Sequence, residues 1–122
     1  MQGALMISWG SPVRGREAQS LGSFGKALGY FEELAKEGRI HGHREYFCLT
    51  GNSAERSGFM IVDGDLEELQ KIQLEDRNLR LMAEASSIVE NFEVTLCAGG
   101  SDQAIGENVA RFTETMSEMG YM

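Results

Sequence analysis

The order in which two hydrophobic periodicities follow each other along the chain restricts its fold more than any other feature. Residues 3–9 are apolar and partly β-branched, which predicts a strand, and residues 20–37 repeat apolar side chains at helical spacing. Residues 39–50 and 57–63 have strand character and flank a glycine-containing turn. A helical region and a last strand at 87–98 follow. The predicted order is therefore strand, helix, strand, strand, helix, strand.

Capping residues and an apolar stripe define the remaining helices. Asp65 precedes an apolar helical pattern and Glu68 follows three residues later, which is typical of a capped helix N-terminus. The pattern slips near Glu75 and resumes in a second short helical piece that ends at about residue 85. Residues 101–120 form an additional C-terminal helix that Gly120 closes. Its apolar residues make one narrow, coiled-coil-like stripe: Ile105, Val109, Phe112, Met116 and Met119.

This order of elements is the split βαβ arrangement of a ferredoxin-like βαββαβ domain. Right-handed crossovers place the first and third strands at the centre of a four-stranded antiparallel sheet and the second and fourth at its edges. Both long helices then cover one face, and the other face must meet a second layer. The simplest second layer is another copy of the chain. We therefore expect one α+β domain over residues 1–122 that forms a homodimer, with the C-terminal stripe packed against the dimer and partly bounding its cavity.

The order of elements, the length of 122 residues and the C-terminal helix together resemble the dimeric α+β barrel superfamily over nearly the whole chain. Members of that superfamily include cofactor-free monooxygenases that act on aromatic polyketides, haem-degrading monooxygenases and muconolactone isomerases. The resemblance implies a small-molecule pocket between the helices and the sheet. It does not choose a reaction, because one fold supports many functions.

The net charge of −8 disfavours partners that carry phosphate groups, so we expect neither nucleic acid nor a membrane surface as a partner. The apolar runs are far shorter than the roughly 20 residues of a membrane span. The N-terminus has no signal-peptide pattern. Cys48 and Cys97 are too few for a disulfide framework. Together these observations predict a cytoplasmic protein with two reduced thiols.

His41, His43 and Glu45 alternate along the second strand and are predicted to share one face. Same-face neighbours on a strand are roughly 6.5–7 Å apart, so the outer two would lie about 13 Å from each other. One ion cannot bind all three side chains at that spacing. We therefore expect no metal and no cofactor, and we interpret the three residues as solvent-facing groups on an edge strand.

Six polar or reactive side chains are predicted on the open face of the sheet. Arg44, Tyr46 and Cys48 share this face of the second strand, and Glu93, Thr95 and Cys97 share it on the last strand. Tyr46 or Glu93 could move a proton, and Arg44 could hold a carboxylate. The alternative for Tyr46 and Arg44 is packing in the dimer interface, and for Glu93 an ion pair across it.

Trp9 and a glycine stripe are the other candidates for contact with a ligand. Trp9 ends the first strand near the expected mouth of the pocket, where it could stack on a flat ligand or simply belong to the core. Gly22, Gly25 and Gly29 form a stripe on the first long helix, and we expect the sheet or a partner helix to approach it closely.

Three functions are compatible with these features. The first is a homodimeric domain that binds a small, aromatic or conjugated molecule between helices and sheet. The second is a cofactor-independent monooxygenase or isomerase, in which Tyr46 or Glu93 moves the proton. The third is a structural or regulatory dimer whose cavity is filled by its own side chains. Polar groups that converge on an open pocket would favour an enzyme.

Overall fold

The elements follow one another in the predicted order in a computed structural model that describes all 122 residues. The second helical region consists of two separate helices, which brings the total to four strands and four helices. Their bounds are β1 (Gln2–Trp9), α1 (Glu17–Lys36), β2 (Gly42–Phe47), β3 (Gly58–Asp65), α2 (Leu66–Leu74), α3 (Asp76–Ile88), β4 (Glu93–Ala98) and α4 (Asp102–Glu118).

The four strands form one antiparallel sheet in the order β2-β3-β1-β4. β1 and β3 lie at the centre and β2 and β4 at the edges, as the crossover rule predicts. Leu5 in β1 lies opposite Val62 in β3 and Leu96 in β4, so the same strand phase continues across the sheet. The predicted α+β ferredoxin-like topology is confirmed.

The hydrophobic core lies on one face of this sheet. Leu5 and Val62 point to that face, where they pack with Phe31 of α1 and with Leu69 and Ile72 of α2. All five residues are at most 1% exposed. The residues of β1 and β3 that alternate with the core residues face the other way and are mostly half-buried. The sheet therefore has a helix-covered face and an open face.

Local signals account for most helix ends. The Asp65 carboxylate accepts a hydrogen bond from the Glu68 backbone N–H at 3.3 Å, as the capping pattern predicts. Gly38 and Gly120 follow α1 and α4 with φ of 75° and 80°, a backbone conformation that favours glycine. Glu75 is extended between α2 and α3, which is the predicted slip in the helical pattern.

The predicted start of the last strand is wrong. Residues 87 and 88 still belong to α3, because Ile88 is buried and closes the helix side of the core. Asn91, with φ of 51°, then turns the chain before β4 begins at Glu93. The apolar pair Ile88-Val89 has strand-like composition, and only its packing shows that it ends a helix.

The apolar stripe of α4 does not pack on its own domain. Ala104 is the one buried residue of the helix, and Phe112 is 62% exposed. No residue of α4 lines the cavity between helices and sheet, so the expected contact with the cavity is not made within one chain. None of the helices has both the length and the hydropathy that are required to cross a membrane.

The glycine stripe of α1 is also free of close contacts within the chain. A Cβ placed on Gly22, Gly25 or Gly29 would meet no atom within 4 Å. The prediction that the sheet approaches this stripe is therefore wrong, because the glycines lie on the face of α1 that points away from the core.

Candidate ligand-binding site

A cavity of about 240 Å³ lies between α1, α3 and the helix-covered face of the sheet. It is located at the end of the sheet where β1 and β2 finish and β3 and β4 begin. Twelve of the 17 residues that line it are hydrophobic, so its surface is mostly apolar. Four of them are aromatic, namely Trp9, Phe24, Phe47 and Phe92.

Three aromatic rings form one wall of this cavity. Phe24 of α1 lies edge-to-face against Trp9, with ring centroids 5.8 Å apart, and 5.4 Å from the Phe47 ring of β2. Such offset arrangements are the favoured geometries of aromatic pairs. The wall therefore offers ring faces and edges to a flat ligand.

A glycine allows the indole to take its place in the wall. A Cβ on Gly58, the first residue of β3, would lie 2.7 Å from Cζ2 of Trp9. That distance is far below van der Waals contact, so only glycine permits the ring to lie over the strand here. The position of Trp9 is thus determined by its neighbour across the sheet.

The cavity has no ionisable side chain in its lining, and its polar side chains are the hydroxyls of Ser20, Ser23 and Ser57. A charged ligand would lose its hydration there without gaining a counter-charge, which is costly in a mostly apolar space. The lining therefore suits a neutral molecule.

Among the residues singled out from sequence, Trp9 alone lines this cavity. Arg44 and Tyr46 point to the open face of β2, and Glu93 and Thr95 to the open face of β4, as the strand phase predicts. Cys48 directly follows β2 and is outside the cavity lining. The sheet separates Trp9 from the open-face residues. Trp9 points to the helix-covered face like the core residues Leu5 and Ile7 of β1, whereas the candidates on β2 and β4 point to the open face.

The open-face candidates do not form one cluster. Arg44 is paired with Asp63 at 3.3 Å, and the Tyr46 ring stacks on Phe59 with centroids 5.1 Å apart. Tyr46 and Glu93 lie on opposite edge strands, three strand spacings or about 14 Å apart. Within one chain they cannot act on the same reacting atom.

The interpretation of His43 as solvent-facing is wrong. Its side chain is 9% exposed because it lies on the helix-covered face of β2, beside α1. Nδ1 contacts the Glu45 carboxylate at 2.8 Å and Nε2 contacts the Glu32 carboxylate at 2.7 Å. Burial of the ring opposes protonation, but the hydrogen bonds to both glutamates outweigh it and raise the pKa of His43. His41 precedes β2 and is exposed.

Sequence reasoning missed most of the cavity lining. Helical spacing and strand phase place Phe24, Phe47 and Phe92 on the helix-covered face, but such patterns do not distinguish a ligand contact from a core residue. One signal was present: Trp9 and Phe47 both end strands, and Phe92 immediately precedes β4. In the observed topology these three aromatic residues meet at the same end of the sheet, whereas the predicted strand 87–98 would place Phe92 in its interior.

Comparisons with known proteins identify the fold and no family. No family model matches the chain, and no curated protein matches it. The structure is similar to the crystal structure of a dimeric protein of unknown function and ferredoxin-like fold from Bacteroides fragilis NCTC 9343, with a TM-score of 0.56 and 8% sequence identity. The match covers 78% of this chain and 93% of that one. The chain therefore has a ferredoxin-like fold.

Proposed function

We propose that this protein is a homodimeric binding domain that holds a small, neutral, aromatic or conjugated molecule in the cavity between its helices and its sheet. The observation that carries this proposal is the wall of Trp9, Phe24 and Phe47 in a cavity without an ionisable side chain. Ligand sites in proteins are typically concave and apolar, with a few polar groups that orient the ligand.

The same lining supports binding rather than acid–base catalysis. An enzyme that moves a proton needs an ionisable group within hydrogen-bond reach of the reacting atom. Tyr46 and Glu93, which were the candidates for this role, lie on the opposite face of the sheet. A cofactor-independent monooxygenase or isomerase would have to draw its acid or base from outside this cavity.

Two apolar surfaces that the chain leaves without full cover support the homodimer. One is the open face of the sheet, where Met6 lies beside Ile61 and next to Phe59 and all three are half-buried. The other is the stripe of α4, with Phe112 as its largest member. Exposed apolar patches of this kind mark interfaces, and the structurally similar protein is dimeric. A second copy placed on the open face would cover the sheet without closing the cavity on its other side.

A cytoplasmic location is part of the same proposal. Cys48 and Cys97 are free thiols near opposite edges of the sheet, where they cannot reach each other. Free thiols persist in reducing compartments. Alkylation of the folded protein without a reductant should label the two thiols, and an interchain disulfide would argue for an oxidising location.

Trp9 provides a direct test of ligand binding, because it is the only tryptophan in the chain and it lines the cavity. Naphthalene and 2-naphthol are suitable neutral two-ring probes. Titration should shift the single indole N–H resonance with a Kd of about 10–100 µM, which corresponds to about −0.6 kcal/mol per non-hydrogen atom and lies within the bounds of ligand efficiency.

A matched pair of substitutions in α3 distinguishes the cavity from the surface. Ala85 lines the cavity and Ala83 is exposed on the same helix. Ala85→Phe should fill the cavity and abolish the shift of the indole resonance, whereas Ala83→Phe should leave both Kd and shift unchanged. Ala85→Leu is the milder substitution if the phenylalanine variant does not fold. An unperturbed indole resonance in the wild-type protein at saturating probe would refute the proposal.

A further inference from the structure

The three hydroxyls that line the cavity differ in their hydrogen bonds. Ser20 donates to the Glu17 carbonyl oxygen at 2.6 Å, and Ser57 donates to the Ser53 carbonyl oxygen at 2.7 Å. The Ser23 hydroxyl makes no hydrogen bond within the chain, although the residue is only 7% exposed. Ser23 is therefore a nearly buried hydroxyl whose remaining access is to the cavity.

The position of Ser23 makes its free hydroxyl unusual. A serine inside a helix commonly donates to the carbonyl oxygen of the preceding turn. Ser23 lies in the interior of α1, directly before Phe24 of the aromatic wall, and does not make that bond. A ligand in the cavity would cut this hydroxyl off from water, so a ligand that supplies a hydrogen bond avoids the free-energy cost of leaving it without a partner.

We propose that Ser23 is the specificity-determining residue of the cavity and selects neutral aromatic molecules that carry one hydroxyl or carbonyl group. A serine hydroxyl can donate to a carbonyl oxygen and accept from a phenolic O–H, so both groups satisfy it. Trp9, Phe24 and Phe47 contact the rings of the ligand, and Ser23 binds its polar group. Molecules that bear a charge are disfavoured because the lining holds no counter-charge.

This assignment rests on the proposed binding function, and a paired titration tests the two separately. Naphthalene and 2-naphthol present the same two rings and differ by one hydroxyl. Their affinities are measured from the Trp9 indole resonance for the wild-type protein and for Ser23→Ala. We expect the ratio of the 2-naphthol affinity to the naphthalene affinity to fall about 5–10-fold in Ser23→Ala, through weaker binding of 2-naphthol alone.

Ser86→Ala is the matched control, because Ser86 is an exposed helix serine of α3 outside the cavity lining and its hydroxyl donates to the Ala83 carbonyl oxygen at 2.9 Å. The affinity ratio should stay at the wild-type value in this variant. If Ser23→Ala does not fold, Ser23→Cys keeps the volume of the side chain and replaces the hydroxyl with a weaker donor. It should also lower the ratio.

The outcomes distinguish failure of this assignment from failure of the proposed function. If neither probe shifts the indole resonance of the wild-type protein, the binding function itself is refuted. If both probes bind and the ratio is the same in the wild-type protein and Ser23→Ala, the cavity binds aromatic molecules but Ser23 does not select among them. An equal fall of the ratio in Ser86→Ala would likewise overturn the assignment to Ser23.

Discussion

Substitution of Phe112 tests the proposed dimer at α4, because one chain alone leaves the apolar stripe of this helix exposed. The Phe112 side chain is 62% exposed within one chain. Full burial of a phenylalanine side chain contributes about 1.5–3 kcal/mol, so burial of the exposed part at an interface contributes about 1–2 kcal/mol. A two-fold symmetric interface contains the residue twice. Phe112→Ala should therefore weaken the dimer by about 2–4 kcal/mol, or about 30- to 1000-fold in its dissociation constant.

Analytical ultracentrifugation over a wide range of protein concentration measures this dissociation constant directly. Glu114→Ala is the control, because Glu114 is exposed on the same helix but lies on the opposite side from the apolar stripe. The circular dichroism spectrum of Phe112→Ala should match that of the wild-type protein, because the ring has little contact with its own domain. Its unfolding midpoint should fall and depend more strongly on protein concentration.

Two results would refute this reasoning. A wild-type protein that remains monomeric at high micromolar concentration would show that neither the open sheet face nor the stripe recruits a second copy. A dimer whose dissociation constant is the same in Phe112→Ala and Glu114→Ala would show that α4 lies outside the interface. The open face of the sheet would then have to hold the dimer alone.

Three further substitutions test the packing around the site. The raised pKa of His43 means that its contribution to stability is complete below about pH 6.5 and is lost as the pH rises through the folded-state pKa. The Tm difference between wild type and Glu32→Gln should therefore shrink as the pH rises above about 6.5. A difference that is constant over this range would contradict the hydrogen-bonded arrangement. Gly58→Ala should shift the Trp9 indole resonance and lower the Tm, because the new methyl group would meet the ring, and an unchanged resonance would contradict the close approach. Phe31→Ala should lower the free energy of unfolding in urea by about 3–5 kcal/mol because the ring is fully buried, and a loss below about 1 kcal/mol would contradict its place in the core.

The sequence by itself determined the elements and their order, because strand alternation, helical spacing and caps act over a few residues. The Asp65 cap, the slip at Glu75 and the closing Gly120 all lie where the local pattern predicts them. Strand phase also placed Arg44 and Tyr46 on the open face correctly. The right-handed crossover rule then left one arrangement of the four strands.

Tertiary packing decided what each face touches. His43 has the sequence context of an exposed edge strand, yet α1 lies over it and brings Glu32 to its ring. The α4 stripe has the pattern of a packed helix, yet its own domain does not cover it, so Phe112 stays exposed within one chain. Neither outcome follows from spacing, because both depend on where another element lies.

The cavity is the clearest case of a feature that only the tertiary structure decides. It is the volume that α1, α3 and one end of the sheet leave unfilled, so it depends on side-chain sizes from several elements at once. Trp9 is part of the cavity wall because Gly58 lets the ring lie across β3. Ser23 lines the cavity from α1 and contributes a hydroxyl that has no hydrogen-bond partner in the chain. Periodicity can place a residue on a face, but unfilled space and an unmade hydrogen bond arise only when the faces meet.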